Sequence, residues 1–232
     1  MIVGRSHEWN RFPVSTKQGV VPIIEYIEMH ERNEKANLLE QFFRLRKHVF
    51  CDTLGWVQAN GDGLEMDEFD DRFNVVIVNV DEQTGTVDGG VRLMPTTGPT
   101  LLHKVWPDML PNPEEFRSSD IWEATRFCVG NLSSTTRKRN FVNRATLALS
   151  LSVLEFCSAN GISKVVGVCE KKFFDMQRVY GTRAEIISSK IDENGVAISC
   201  GLWQTGKQAR SQIAWAKPFL GGVEPVLLKK AA

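Results

Sequence analysis

The stretch Glu65-Met66-Asp67-Glu68-Phe69-Asp70-Asp71 constrains this chain more than any other. Five of its seven side chains are carboxylates, with Met66 and Phe69 set among them. Gly61-Asp62-Gly63 before it reads as a turn, and Asn74-Val75-Val76-Ile77-Val78 after it reads as a strand. The acids therefore lie on a loop leading into a sheet. A charge run is usually a solvated loop. Here apolar residues are interleaved, and Arg46, Arg92 and Arg126 stand isolated in apolar settings elsewhere. Carboxylates crowded against a sheet stay ionised only beside cations, so the rest of the chain is expected to bring those arginines to this loop.

Hydrophobic periodicity supplies the frame. Residues 34–49 read as a helix whose broad apolar face carries Leu38, Leu39, Phe42, Phe43, Leu45 and Val49. Arg46 follows Phe42 by four positions and so lies beside that face. Residues 75–80 and 86–94 read as a hairpin, and Gly89-Gly90 within it predicts a bulge or a close approach by ligand or backbone. Residues 101–110 suggest a short helix bounded by prolines. Residues 121–129 alternate as a strand. Residues 139–159 form the longest helical pattern, followed by a short apolar strand at 164–169, a helix at 171–180, strands at 184–187 and 196–203, and a helix from 207 to 215. Strands alternate with helices, so the expected fold is α/β: a three-layer α/β/α sandwich with a mixed, mostly antiparallel sheet. The chain reads as one domain over residues 1–232. Residues 1–30 are expected to be a flexible leader, with Trp9, Phe12 and Tyr26 able to fold over a pocket.

Composition excludes several classes of function. The net charge of +0 makes no electrostatic case for nucleic acid or an anionic membrane. No apolar run approaches the roughly 20 residues of a membrane span. The N-terminus lacks a basic-then-apolar signal pattern, so a cytoplasmic protein is expected. The 5 cysteines are scattered without C-x-x-C spacing, and the 4 histidines are unpaired at metal-ligand spacing. Reduced, packing thiols and no metal site are expected.

Taken singly, the candidate residues have ordinary explanations. Arg46 beside Phe50 is a snorkelling arginine at a helix end. Trp56, on a loop after Gly55, is as well explained as a lid over the core as by stacking on a flat or cationic group. Glu123 and Arg126, three apart on one strand, point to opposite faces unless a bulge intervenes. Arg92 and Arg126 are as readily structural salt-bridge partners of Asp67 and Asp70 as functional groups, and a carboxylate such as Glu123 in a sheet is seldom left unpaired.

Together they form a pattern. Arg46-x-x-x-Phe50, Trp56, Glu65-x-Asp67-x-x-Asp70, Arg92, Phe116 and Glu123-x-x-Arg126 resemble, in order and spacing, the signature of the acyl-homoserine-lactone synthases, the bacterial autoinducer synthases. The resemblance spans about residues 38–129 and includes Pro95-Thr96-Thr97 and Val105-Trp106-Pro107. It implies a fold similar to the Gcn5-related N-acetyltransferases. It also implies a reaction between S-adenosylmethionine and an acyl thioester on acyl carrier protein or coenzyme A. The products would be an N-acyl-homoserine lactone, 5′-methylthioadenosine and the free thiol. S-adenosylmethionine would be a substrate, with no separate cofactor.

That chemistry assigns roles. Phe50 and Trp56 suit the adenine and the sulfonium, Asp67 the ammonium, and Arg46 or Arg126 the carboxylate. Glu123 is the candidate base, ionised at neutral pH if Arg126 outweighs burial. Catalysis would rest on Glu123, Asp67 and Arg126. Glu65, Asp70 and Arg92 would complete a structural ion-pair network. Phe116 and Gly167 would line the acyl pocket. Some members carry Thr or Ser near Gly167, linked to 3-oxo chains, so glycine there weighs against a 3-oxo preference. Lys171, Lys172 and Arg178, with Arg137-Lys138-Arg139, are as readily solvated surface as a docking patch for an acidic carrier protein or coenzyme A phosphates.

Two other readings compete. A Gcn5-type acetyltransferase acting on another amine would hold pyrophosphate with an Arg/Gln-x-x-Gly-x-Gly/Ala turn, and residues 129–143 contain only Gly130. A non-enzymatic ligand sensor would not need both Glu123 and the acidic cluster.

Overall fold

The hairpin of β2 (Val75–Asp81) and β3 (Val87–Pro95) is the centre from which the sheet extends. In this computed structural model, residues 22–130, 144–179, 181–192 and 195–213 are described. The other strands are β1 (Pro22–Ile27), β4 (Ile121–Val129), β5 (Lys164–Glu170), β6 (Ala184–Ile191) and β7 (Ala197–Gln204). They form one sheet in the order β1-β2-β3-β4-β5-β7-β6. Every neighbouring pair is antiparallel except β4 and β5. The mixed, mostly antiparallel sheet expected from the alternation is therefore present.

Helices cover both faces. On one lie α1 (Ala36–Arg46) and α2 (Leu101–Val105); on the other lie α3 (Arg144–Ala159), α4 (Lys171–Val179) and α5 (Lys207–Ile213). Alternate residues of each central strand feed opposite layers. Val76 and Val78 pack with Phe42 and Phe43 of α1, while Val75 and Ile77 pack with Leu147 and Leu151 of α3. Covered on both sides, β2 is buried along almost its whole length.

A bulge does lie beside Gly89, where β3 holds one extra residue against Asn79 and Val80 of β2, while the close approach at Gly90 comes from a side chain. The pairing of β3 with β4 shifts register between Gly90 and Arg92. A Cβ at Gly90 would also lie 2.5 Å from a Phe42 ring carbon. With only hydrogen there, α1 settles onto the strand backbone and delivers Arg46 to the sheet. Beyond Arg46 the helix widens into a π-helical segment, Lys47–Thr53, which carries the buried Phe50.

The N-terminal expectation needs correction. Residues 22–27 form β1, an edge strand paired with β2, and Ile24 and Tyr26 enter the core. Tyr26 stacks on Phe156, with centroids 6.1 Å apart, so it does not cover a pocket. The run is short and begins with proline, which suits an edge strand and leaves little periodicity to read. Trp9, Phe12, the start of the helical pattern at 139–143 and the basic run 137–139 lie outside the described residues. Among the described residues, no helix is long and apolar enough to cross a membrane.

Candidate active site

A bulge in β4 shapes the site. Thr125 faces Arg92, and the next pair in register is Cys128 with Gly90, so β4 holds one extra residue. Arg126 takes a left-handed conformation, φ +55°, the one positive φ at a non-glycine among the described residues. The insertion breaks the alternation. Glu123, Thr125 and Arg126 all serve the α1–α2 side, while Trp122, Ala124, Phe127 and Val129 pack toward α3. The bulge that the Glu123-x-x-Arg126 spacing left open is thus present.

The same region opens the sheet. The parallel ladder between β4 and β5 runs only from Ile121–Lys164 to Glu123–Val166. Beyond that the strands part, and a cleft of about 780 Å³ fills the gap. Trp56 and Val105 line it on one face of the sheet, and Val153 and Leu154 of α3 on the other. It therefore passes through the sheet. Gly167 lines it, and a Cβ there would stand 3.0 Å from the Ala124 carbonyl oxygen.

Behind the cleft lies the ion-pair network. Arg46 is fully buried; its Nε donates to Glu65 at 2.5 Å, and its two Nη atoms donate to Asp70 at 2.7 and 2.9 Å. Arg92, also fully buried, donates to Asp67 at 2.5 and 2.8 Å, to Asp70 at 2.7 Å and to the Thr125 hydroxyl at 3.0 Å. Arg126 reaches Glu65 at 2.9 Å and Asp67 at 3.0 Å. Three guanidiniums thus meet Glu65, Asp67 and Asp70, and their formal charges cancel. Burial works to raise the Asp70 carboxyl, but Arg46 and Arg92 outweigh it and pull it down to about 2. Burial is likewise outweighed at Glu65, which Arg126 and Arg46 hold below its ordinary range.

Arg126 is the network member that also lines the cleft. Its guanidinium carbon lies 5.5 Å from the centroid of Phe50, whose ring is 5.9 Å from that of Trp56. Nε and Nη2 are used by the acids, and Nη1 has no protein partner among the described residues. Trp56 is 40% exposed at the cleft wall.

Glu123 sits deeper, 1% exposed, on the cleft wall. Its two oxygens accept the Leu102 N–H of α2 at 3.0 and 3.1 Å. Burial pushes its carboxyl up to about 7. The Leu102 N–H, Thr100, Arg92 and Arg126 pull the other way and do not compensate. Arg126 does not win against burial here, because its guanidinium is already held by Glu65 and Asp67.

Some expected positions differ. Arg46 does not line the cleft and cannot meet a substrate carboxylate, because its donors are committed inside the core. Asp67 likewise stands behind Arg126, its oxygens taken by Arg92, Arg126 and the Phe69 N–H. Phe116 packs with the cluster of Leu102, Met109 and Leu110 and is not on the cleft wall. Of the basic residues on α4, Lys172 reaches the cleft rim, paired with Glu170 at 2.5 Å, while Lys171 is tied to Asp175 at 2.9 Å and Arg178 is exposed. The cysteines are free thiols, and burial pushes those of Cys128, Cys157 and Cys200 up to about 12. Thr100, Leu102, Gln177 and Ser150 were not singled out from the sequence. Each owes its position to a contact distant in the chain, and only the Thr100 start signal of α2 was readable.

A model of the autoinducer synthase family matches residues 29–213. A probable acyl-homoserine-lactone synthase of Sinorhizobium fredii is 34% identical over 140 residues, 60% of this chain and 67% of that protein. An acyl-homoserine-lactone synthase of Rhizobium etli is 31% identical over 176 residues, 76% of this chain and 80% of that protein. Among solved structures, a CoA-dependent acyl-homoserine lactone synthase, BjaI, with SAM and isopentyl-CoA, superposes with a TM-score of 0.70 at 25% identity, covering 88% of this chain and 90% of that one. The synthase LasI gives a TM-score of 0.72 at 22% identity, covering 84% and 95%, a likeness of fold.

Proposed function

This chain belongs to the autoinducer synthase family, and from that premise we infer that its cleft joins an acyl thioester to S-adenosylmethionine and releases an N-acyl-homoserine lactone. The observation that carries this reading is Glu123: a buried carboxyl, raised to about 7, on the wall of an open cleft within reach of the Arg126 network.

S-adenosylmethionine is a substrate in this scheme, which calls for no separate cofactor. Trp56 and Phe50 supply aromatic faces for its adenine and sulfonium. Nη1 of Arg126 receives its carboxylate. Glu65 and Asp67 hold that guanidinium in place and offset its charge when the site is empty.

Glu123 takes a proton from the α-ammonium, directly or through a water. The amine attacks the thioester carbonyl, its nitrogen gives up a second proton to the departing sulfur as the C–S bond breaks, and the thiol leaves protonated while Glu123 returns the first proton to solvent. Backbone N–H groups on the edge of β4, past the point where β5 separates, are donors for the tetrahedral oxyanion. The substrate carboxylate then attacks its own γ-carbon and expels 5′-methylthioadenosine, a step that depends on orientation. The acyl chain runs through the sheet past Gly167. Lys172, exposed where it lines the cleft, would meet a phosphate-bearing carrier, either coenzyme A or acyl carrier protein.

Incubation of the purified chain with S-adenosylmethionine and acyl donors on both carriers tests this reading. Acyl-homoserine lactone and 5′-methylthioadenosine should form in equal amounts by mass spectrometry. Acylation of other amines with S-adenosylmethionine left intact would refute it.

A further inference from the structure

The cleft wall is not wholly aliphatic. On the α3–α4 side of the sheet its wall includes Ser150, Gln177 and Thr182, which are 7%, 6% and 7% exposed. They form one chain of hydrogen bonds. Ser150 Oγ donates to the Thr146 carbonyl at 2.8 Å, so its lone pairs remain acceptors. Gln177 Nε2 donates to Ser150 Oγ at 3.4 Å, and Gln177 Oε1 accepts from the Thr182 hydroxyl. An amide nitrogen carries two hydrogens, and Ser150 takes one. Among the described residues no second acceptor for this nitrogen is found, and Gln177 lines the cleft. Phe127, Phe173 and Trp203 supply flat apolar walls in the same region.

We propose that this end of the cleft selects acyl groups bearing an oxygen function remote from the thioester, with Gln177 donating a hydrogen bond to that oxygen. The inference rests on the acyl-transfer reading above. A plain hydrocarbon chain that reached the amide would cover it with methylenes and strand its N–H. A hydroxyl or carbonyl oxygen at that depth would satisfy it. Ser150 could in turn accept from a ligand hydroxyl. A site built to hydrogen-bond a substrate oxygen discriminates strongly against the analogue lacking it.

The test is competition between donors matched in length, in the full chain with S-adenosylmethionine present. One pair is 4-hydroxycinnamoyl and cinnamoyl thioester; the other is 8-hydroxyoctanoyl and octanoyl thioester. Each is supplied on coenzyme A and on acyl carrier protein. The product ratio, read by mass spectrometry, equals the ratio of kcat/KM values. The oxygenated product should lead by about tenfold or more in at least one pair. Gln177→Leu should abolish or invert that lead, and the smaller change Ser150→Ala should reduce it. A wild-type ratio near one in both pairs, or an unchanged ratio in both variants, would overturn the inference while leaving the synthase reading intact. Absence of acyl-homoserine lactone from every donor would overturn that reading, and this inference with it.

Discussion

Glu123 and Arg126 share one wall of the cleft although three positions separate them on β4, because Arg126 is the inserted residue of a bulge with φ +55°. The bulge sets a carboxylate that takes up protons near neutral pH beside a guanidinium anchored by two acids. It also lies where β4 leaves β5, so the break in the ladder and the placing of the charged pair have one cause.

Glu123→Gln retains size and hydrogen bonding but removes basicity. It should lower kcat by about 10²-fold or more, with little change in S-adenosylmethionine affinity. Wild-type activity should climb with pH through about 7 as Glu123 loses its proton. The deficit of the variant should narrow at high pH, where the free amine forms unaided. Steady-state rates against pH, with affinity from calorimetry, give the check. Weaker binding with kcat intact at every pH would move the base elsewhere.

The same carboxyl makes stability depend on pH. The unfolded chain releases this proton near 4.5, and the folded protein holds it up to about 7. Between those values the folded state binds more protons, so the Glu123 contribution is full below about 4.5 and is lost as pH rises through about 7. The loss approaches about 3 kcal/mol once ionisation is complete. Glu123→Gln lacks this dependence, so its melting temperature should gain on wild type between pH 5 and pH 8. Parallel melting curves across that range would remove the raised pKa from the account.

Asp70 is 1% exposed and accepts from both Arg46 and Arg92. Asp70→Asn leaves the buried network one charge positive. Breaking a buried pair from one side costs about 3–5 kcal/mol, and activity should fall with it because the network anchors Arg126. The native carboxyl is held near 2 against an ordinary 3.8. Its contribution is therefore present above 3.8 and is lost as pH falls toward 2, and the variant should be less sensitive to acid over that window. Denaturant melts at pH 7 and pH 3 measure both effects. A variant that melts like wild type and keeps full turnover would dismiss Asp70 from the network.

Trp56 is 40% exposed beside Phe50, a large apolar surface left open at the cleft wall. Trp56→Ala should weaken S-adenosylmethionine binding by more than about 1 kcal/mol, the scale of one aromatic–cation contact, with little change in melting temperature. Unchanged affinity by calorimetry would take Trp56 out of the site.

Local signals in the sequence were enough for the frame. A period of 3.6 in residues 34–49, the hairpin punctuation at 81–85 and the alternation of 121–129 depend on neighbours in the chain, and these elements stand where the periods put them. The need for arginines beside the acidic loop was also legible, because charge balance near a sheet follows from residue types alone. Tertiary structure decided which arginine serves which acid. Arg46 and Glu65 are 19 positions apart, and Arg126 and Glu65 are 61. No local pattern distinguishes an arginine sealed into the core from one that opens on a cleft. The fold also decided that burial outweighs Arg126 at Glu123. Desolvation sums over every group that excludes water from a site, and those groups come from α2, β4 and β5 together. Gln177 reads as an ordinary polar residue on a short helix until β4 and β5 part and bring the cleft to it.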